Sequence, residues 1–259
     1  MKIAIPSYKR SQSKLLTIKN IPEKWHSKTT VFVREEEFSL YRQVVPSSIE
    51  VKILYNSTNI HTTRNEILNH YSSDILMLDD DLEFKELFYT KFLKCDHESI
   101  DRMFIEIKKL LDAGFVHVSV ACPVVGLQSK GSTIFNSRYY GLLAYRVDVL
   151  KKLKVKFRTL CMSDFDVALQ LTKQGYPSAI ITHWLIDTKA NQKGGCSEYR
   201  TSKVALKSAL TLQKIHKPFV KVVPKGDWQN MENRFDVRIQ WKRYFESSKV
   251  KHTPKGFDI

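Results

Sequence analysis

Four apolar residues, Ile75-Leu-Met-Leu78, run straight into three consecutive carboxylates, Asp79, Asp80 and Asp81. The apolar run has the length and composition of a buried strand, and its two ends fix the topology around it. A strand buried on both faces belongs to a sheet covered by helices. The carboxylates then stand at the carboxyl end of a strand, where open α/β sheets place their ligands. Adjacent negative charges repel one another, and an oxygen-only set of this kind suits Mg²⁺ or Mn²⁺ better than zinc. A solvated acidic turn is the other reading of the same residues.

Other segments extend this pattern. Lys2–Pro6, Thr30–Val33 and Val51–Leu54 read as strands, and Thr63–Tyr71 as the helix leading into the acidic strand. From Glu98 to Ala113, Ile100, Met103, Phe104, Ile107, Leu110 and Leu111 mark one helix face, and Gly114 supplies a stop. Val116–Ala121 and Tyr139–Tyr145 read as strands, Phe165–Lys173 as a helix and Ala179–Thr182 as a further strand. The alternation predicts a mainly parallel sheet flanked by helices. From about Thr201 the chain starts as a helix and continues as a basic, aromatic-rich tail. The expected division is therefore a domain over 1–200 and an extension over 201–259 packed on it.

Charge narrows the partners. Lys and Arg number 42 against 27 Asp and Glu, a net +15, which attracts polyanions, with nucleic acid the first candidate and acidic membrane surfaces the second. No apolar run approaches the ~20 residues of a membrane span, and the opening Met1-Lys-Ile-Ala-Ile-Pro-Ser7 reads as a strand, not an export signal. Four scattered cysteines have no metal-ligand spacing and read as free thiols. In the tail, Lys221, Lys225, Arg238, Lys242 and Arg243 are interleaved with aromatics such as Trp241. Cations for phosphates and rings for stacking are what nucleic-acid binding needs, although the aromatics of such a tail also serve to pack it on a core.

Four segments, taken in order, resemble a GT-A (Rossmann-like) glycosyltransferase fold: Ile3-Ala-Ile-Pro-Ser-Tyr-Lys-Arg10, Thr63-Arg-Asn-Glu66, Leu78-Asp-Asp-Asp81 and Met162-Ser-Asp-Phe-Asp-Val-Ala-Leu-Gln-Leu171 with Gly175-Tyr176. Together with the basic tail and Gly194-Gly-Cys-Ser197, the chain is similar to the TET-associated glycosyltransferases of bacteriophages, which glycosylate hydroxymethylated pyrimidines in DNA. Ser163 stands where many GT-A enzymes carry Glu, which puts one acceptor contact in doubt.

The resemblance implies roles. Pro6, Ser7, Tyr8, Arg10, Arg64, Asp79 and Asp80 fall to donor binding, Arg64 having a structural ion pair with the triple aspartate as its alternative. Lys193 and Arg200 fall to the diphosphate, or to an ordinary surface loop. Asp79 and Asp81 hold Mn²⁺ or Mg²⁺, with His183 either a further ligand or a packed residue beside Trp184. Asp164 is the expected base for the acceptor hydroxyl, with Asp166 as its substitute. A helix cap is the other role open to Ser163 or Asp164. The implied partners are a nucleotide-sugar, a UDP-sugar being the expected one, and duplex DNA with hydroxymethylated bases. The implied setting is the infected host's cytoplasm, without a membrane. A transferase acting on a glycan or protein, and a non-catalytic DNA-binding scaffold, are the rival readings.

Overall fold

A computed structural model describes residues 1–12, 15–126, 133–188, 194–228 and 231–259. In chain order the elements are β1 (Lys2–Pro6), α1 (Leu16–Asn20), β2 (Thr29–Arg34), α2 (Phe38–Val44), β3 (Glu50–Leu54), α3 (Ile60–His70) and β4 (Ile75–Leu78). Next come β5 (Leu82–Phe88), β6 (Lys91–Lys94), α4 (His97–Asp112), β7 (His117–Ala121), α5 (Pro123–Gly126), β8 (Thr133–Phe135), β9 (Leu142–Tyr145) and α6 (Val147–Lys152). The chain ends with α7 (Ser163–Lys173), β10 (Ser178–Thr188), α8 (Ser202–Ile215), β11 (Val220–Trp228), β12 (Met231–Ile239) and α9 (Trp241–Glu246).

Strands β3-β2-β1-β4-β9-β7-β10-β5-β6 form one sheet, with β8 pairing β10. The central strands β3, β2, β1, β4, β7 and β10 share one direction, and β9 runs against them between β4 and β7. The expected parallel core is therefore present. An antiparallel β5–β6 hairpin extends the edge, beyond the strands that the sequence predicts.

The strand alternation explains the two covered faces. Ile3 and Ile5 of β1, Val31 and Val33 of β2, and Leu76 and Leu78 of β4 pack with α1, α2 and α4. Ala4, Phe32, Ile75 and Met77, one residue out of phase, pack with α3, α6 and α7. Each fully buried Ile, Leu or Val side chain contributes about 1.5–3 kcal/mol, so the register is strongly specified.

Strand β9 is shorter than the sequence suggests, because residues 139–141 form a loop whose Gly141 carbonyl accepts the Asp79 N–H at 2.8 Å. Strand β10 is longer. It passes a register shift between Ile181 and Leu185 and continues to Thr188.

The C-terminal elements sit on α7, through Phe165 and Leu169 against Ala209, Leu212, Val220, Val237 and Tyr244. The last residues then strap back over the core. His252 N–H donates to the Gly175 carbonyl at 2.9 Å and Lys255 N–H to Ala113 at 2.7 Å. Gly175 has φ +80°, and a Cβ there would lie 1.7 Å from the Val250 carbonyl oxygen, so this crossing needs glycine.

Candidate active site

The Asp79–Asp81 turn is held rigidly by a residue the sequence did not single out. Thr17, fully buried on α1, donates its hydroxyl to the Asp79 carbonyl at 2.6 Å and accepts from Leu82 N–H at 2.9 Å. Its own N–H reaches the Asp80 carbonyl at 3.3 Å.

From this turn the three carboxylates diverge. Asp80 points inward, is 6% exposed, and accepts from Ser7 Oγ and Arg10 Nη1. Burial pushes its carboxyl up to about 7, against the pull of Arg10 and Ser7. Asp81 lies 2.7 Å from the same Arg10 nitrogen, and burial followed by the neighbouring Asp79 charge raises its carboxyl too. Asp79 is the most open, its side chain 35% exposed, and its Oδ1 accepts from Arg64 Nη2 at 2.9 Å.

These contacts correct part of the donor-side assignment. Ser7, which also bonds the Tyr41 hydroxyl at 2.7 Å, Asp80 and Arg10 form a buried lock between the β1 loop and the acidic turn. Pro6 is buried at the end of β1. Tyr8 stays partly exposed, with the Arg34 guanidinium 3.8 Å from its ring centroid. Beside it, Arg34, Glu36, Leu54, Tyr55 and Thr58 line a hollow of about 250 Å³ at the carboxyl ends of β2 and β3. A larger hollow of about 520 Å³ opens at the opposite end of the sheet, where Lys108 pairs with Asp74 and Asp112, and Arg146 with Asp148. Its charges are already matched.

Arg64 takes the ion-pair role that the sequence left open. It is buried on α3, and besides Asp79 it donates from Nη1 to Ser163 Oγ at 3.3 Å. One guanidinium thus joins the acidic turn to the start of α7. Helix α7 begins at Ser163 after Met162, which has φ 60° and gives no side-chain cap. Neither Ser163 nor Asp164 is the helix cap.

Asp164 is partly exposed at this start, and its Oδ1 accepts only the adjacent Phe165 N–H, at 3.1 Å, among the bonds of the described residues. Burial raises its carboxyl, and Arg64 pulls the other way. A weakly engaged carboxylate with an elevated proton affinity suits proton acceptance.

Asp166 does not. It is 0% exposed and accepts from Arg158 Nε at 2.8 Å and Nη2 at 2.5 Å, from His216 Nε2 at 3.0 Å and from Gln170 Nε2 at 3.1 Å. Burial would raise this carboxyl, but the Arg158 and His216 bonds overcome it and hold it below the usual range. Its lone pairs are occupied in tying α7 to α8, so its expected role as substitute base is corrected to a structural one.

His183 is also corrected. Its Nε2 meets Glu106 at 2.9 Å, the same carboxylate that accepts from Trp184 Nε1 at 2.7 Å. It is Thr188, not His183, that pairs with Leu82 beside the acidic turn. The two are five positions apart along β10, about 16 Å.

Arg200 is exposed, beside the thiols of Cys161 and Cys196 and within the electrostatic reach of Asp164. Gly194 packs under the β1 loop, where a Cβ would lie 2.5 Å from the Lys9 carbonyl oxygen, and the Gly195 N–H donates to the Tyr8 carbonyl at 2.8 Å. Lys193, the other expected phosphate contact, lies outside the described residues.

Among the described residues no three His, Cys, Asp or Glu side chains gather as a ready metal cage. Asp79 and Asp81 nevertheless fit a hard divalent cation. Arg64 and Arg10 each hold one oxygen of these carboxylates, and each carboxylate has a second oxygen to offer. Such a cation would complete its shell with water and phosphate oxygens, as Mg²⁺ does.

On the C-terminal extension, Lys221, Lys225 and Arg238 are exposed on the β11–β12 hairpin. Lys242 lies 4.0 Å from Glu246, and Arg243 donates to Gln240 at 2.9 Å. Trp241 packs edge-on to Phe165 at 6.4 Å and against two core clusters, so its ring serves packing and not base stacking.

A family model described as TET-Associated Glycosyltransferase matches residues 1–195. No curated protein matches the chain. Among solved structures, S. aureus TarS 1-349 in complex with UDP-GlcNAc is similar at 12% identity and TM-score 0.48, over 82% of this chain and 66% of that one. TarS 1-349 alone aligns at 13% identity and TM-score 0.46, over 71% of this chain and 60% of that one. GalNAc-T7 with UDP, GalNAc and Mn²⁺ aligns at 11% identity and TM-score 0.46, over 75% of this chain and 44% of that one. The chain thus spans 60–66% of the length of these TarS chains.

Proposed function

The chain belongs to the TET-associated glycosyltransferase family, and from that premise we propose that it moves a sugar from a nucleotide-sugar to a hydroxymethylated base in DNA. The donor is read as a UDP-sugar and the acceptor as 5-hydroxymethylcytosine or a related base. The observation that carries the reading is the Arg64 bridge, which places the Asp79 carboxylate and the start of α7 at Asp164 on two sides of one guanidinium.

The residues divide the work. The hollow beside Tyr8 and Arg34 has room for the nucleotide's base, and Arg200, within the electrostatic reach of Asp164, is read as a contact for the diphosphate. A Mg²⁺ or Mn²⁺ held by Asp79 and Asp81 would stabilise the negative charge of the departing diphosphate. Asp164 takes the proton of the acceptor hydroxyl as its oxygen attacks the anomeric carbon. Arg64 keeps Asp164 and Asp79 from repelling each other and fixes the distance between the donor and acceptor sides.

A base hydroxyl cannot reach Asp164 from within a stacked duplex, so the target nucleotide leaves the helix. The exposed cations of the C-terminal extension receive the phosphates. The setting that follows is the cytoplasm of an infected host, and among the described residues no helix is long and apolar enough to cross a membrane.

Incubation with hydroxymethylated duplex DNA and a panel of nucleotide-sugars, followed by nucleoside mass spectrometry, tests the reading. The expected result is a hexose or pentose mass added to the modified nucleoside. Transfer to a glycan acceptor with none to DNA would replace it.

A further inference from the structure

The outward face of the β11–β12 hairpin has a charge pattern that its own fold leaves unresolved. Lys221 stands directly opposite Arg238 in the ladder, and both are exposed. Like charges in one cross-strand pair are destabilising, and among the described residues neither cation has a carboxylate partner. Farther along the same face, Lys225 Nζ and Arg138 Nη1 share one oxygen of Asp236, at 3.1 and 3.0 Å. Asp236 is buried, and the Lys225 and Arg138 side chains remain 45% and 38% exposed. Two cations on one carboxylate leave a surplus positive charge at the surface.

Arg138 ties this face to the catalytic end. Its guanidinium lies 4.8 Å from the ring centroid of Phe165, the residue after Asp164. The adjacent Tyr139 donates its hydroxyl to the Asp164 carbonyl at 3.4 Å. The cations therefore form a row whose Arg138 end packs on Phe165 at the start of α7 and which continues along the hairpin. Lys225 lies in the register shift between Pro224 and Gly226 and reaches Asp236, whose ladder partner Val223 is two residues from Lys221.

A single small anion needs one of these groups, not a row. A row that begins at the start of α7 suits a polymer with a repeated negative charge, one unit of which enters the site while its neighbours lie along the cations. We propose that Lys221, Arg238, Lys225 and Arg138 form the track for the phosphodiester backbone that flanks the target base. The inference rests on the DNA-acceptor reading above and adds the place and the residues of docking.

The test is fluorescence anisotropy of a labelled hydroxymethylated duplex against salt, with wild type, the Lys221→Glu/Arg238→Glu pair, and Lys91→Glu/Lys94→Glu on the remote edge strand β6 as a control of equal charge. The hairpin pair should lose about tenfold or more in affinity and flatten the log–log salt slope by nearly two units, about 0.9 for each lost phosphate contact. The edge-strand pair should stay within about twofold of wild type. Lys221→Gln/Arg238→Gln keeps the test sound should the reversal fold poorly. Relief of the like-charge pair should raise its Tm without DNA, while its DNA affinity still falls. Wild-type binding that survives both hairpin variants overturns the track alone. A wild type with no salt-sensitive affinity for the duplex overturns the acceptor reading and the track with it.

Discussion

Arg64 donates to Asp79 across 2.9 Å, and the same buried guanidinium reaches Ser163 at the start of α7. The pair links the end of strand β4 to the helix that carries Asp164. A charge change at Asp79 is therefore felt at the start of α7 through one residue, and several expectations depend on that connection.

Asp164 and Asp166 should fail differently. Asp164→Asn is expected to lower turnover by about 10²-fold or more, with donor binding and Tm little changed. Asp166→Asn leaves Arg158 and His216 facing a neutral amide in a buried site, and breaking such a pair costs about 3–5 kcal/mol. Steady-state kinetics beside thermal melting separate the two. A large loss of turnover in Asp166→Asn at unchanged Tm would reverse their roles.

The acid limb of the rate profile should report Asp164. Burial lifts this carboxyl and Arg64 lowers it, and only the ionised form accepts a proton. Rate is therefore lost as pH falls through the Asp164 value. Arg64→Gln should move that limb to higher pH, and Arg64→Lys should move it less. The check is kcat/KM against pH, and an unmoved limb in Arg64→Gln removes Asp164 as the titrating group.

Asp80 gives a stability signature of opposite sense to an ordinary surface carboxylate. Its folded-state value, pushed up to about 7, lies above the 3.8 of a free aspartate. The folded protein thus holds a proton that the unfolded chain has released. The resulting stability is complete below about pH 4 and lost as pH rises through about 7. In metal-free buffer, wild-type Tm should fall across that window relative to Asp80→Asn. Parallel curves for the two proteins would show that Asp80 ionises freely in the fold.

How far the sequence revealed all this follows from periodicity. Strands β1 and β4 were legible to the residue because strands buried on both faces read as plain apolar runs. The β5–β6 hairpin was not, although Leu82 and Phe84 alternate with Glu83 and Lys85, because that alternation begins inside an acidic stretch. Asp164 and Asp166 look interchangeable in a string, yet a helix turns about 200° over two residues, so one stays partly exposed and the other is buried. The apolar run Ala179–Thr182 makes His183 look like a strand end, but the irregular β10 continues five residues past it. The destinations of the Arg10 and Arg64 guanidinium groups are tertiary facts that no local pattern records.

Thr17 is the least conspicuous of the site residues, and a clear expectation attaches to it. Its hydroxyl is donor to Asp79 and acceptor for Leu82, so the acidic turn keeps its shape only while that group is present. Thr17→Val is isosteric but leaves two buried backbone groups unpaired, a loss of about 1–3 kcal/mol. The Asp79 and Asp81 carboxylates should then lose their fixed separation, and Mn²⁺ affinity should drop about tenfold, read by the free-ion electron paramagnetic resonance signal. Thr17→Ser should bind Mn²⁺ nearly as wild type does, since it keeps the hydroxyl. Asp81→Asn should bind almost none and transfer no sugar while its Tm holds, because it removes a carboxylate that burial and Asp79 already disfavour. Normal binding by Asp81→Asn would place the cation elsewhere. Normal binding by Thr17→Val beside a defective Asp81→Asn would show that the turn holds its shape without the clamp.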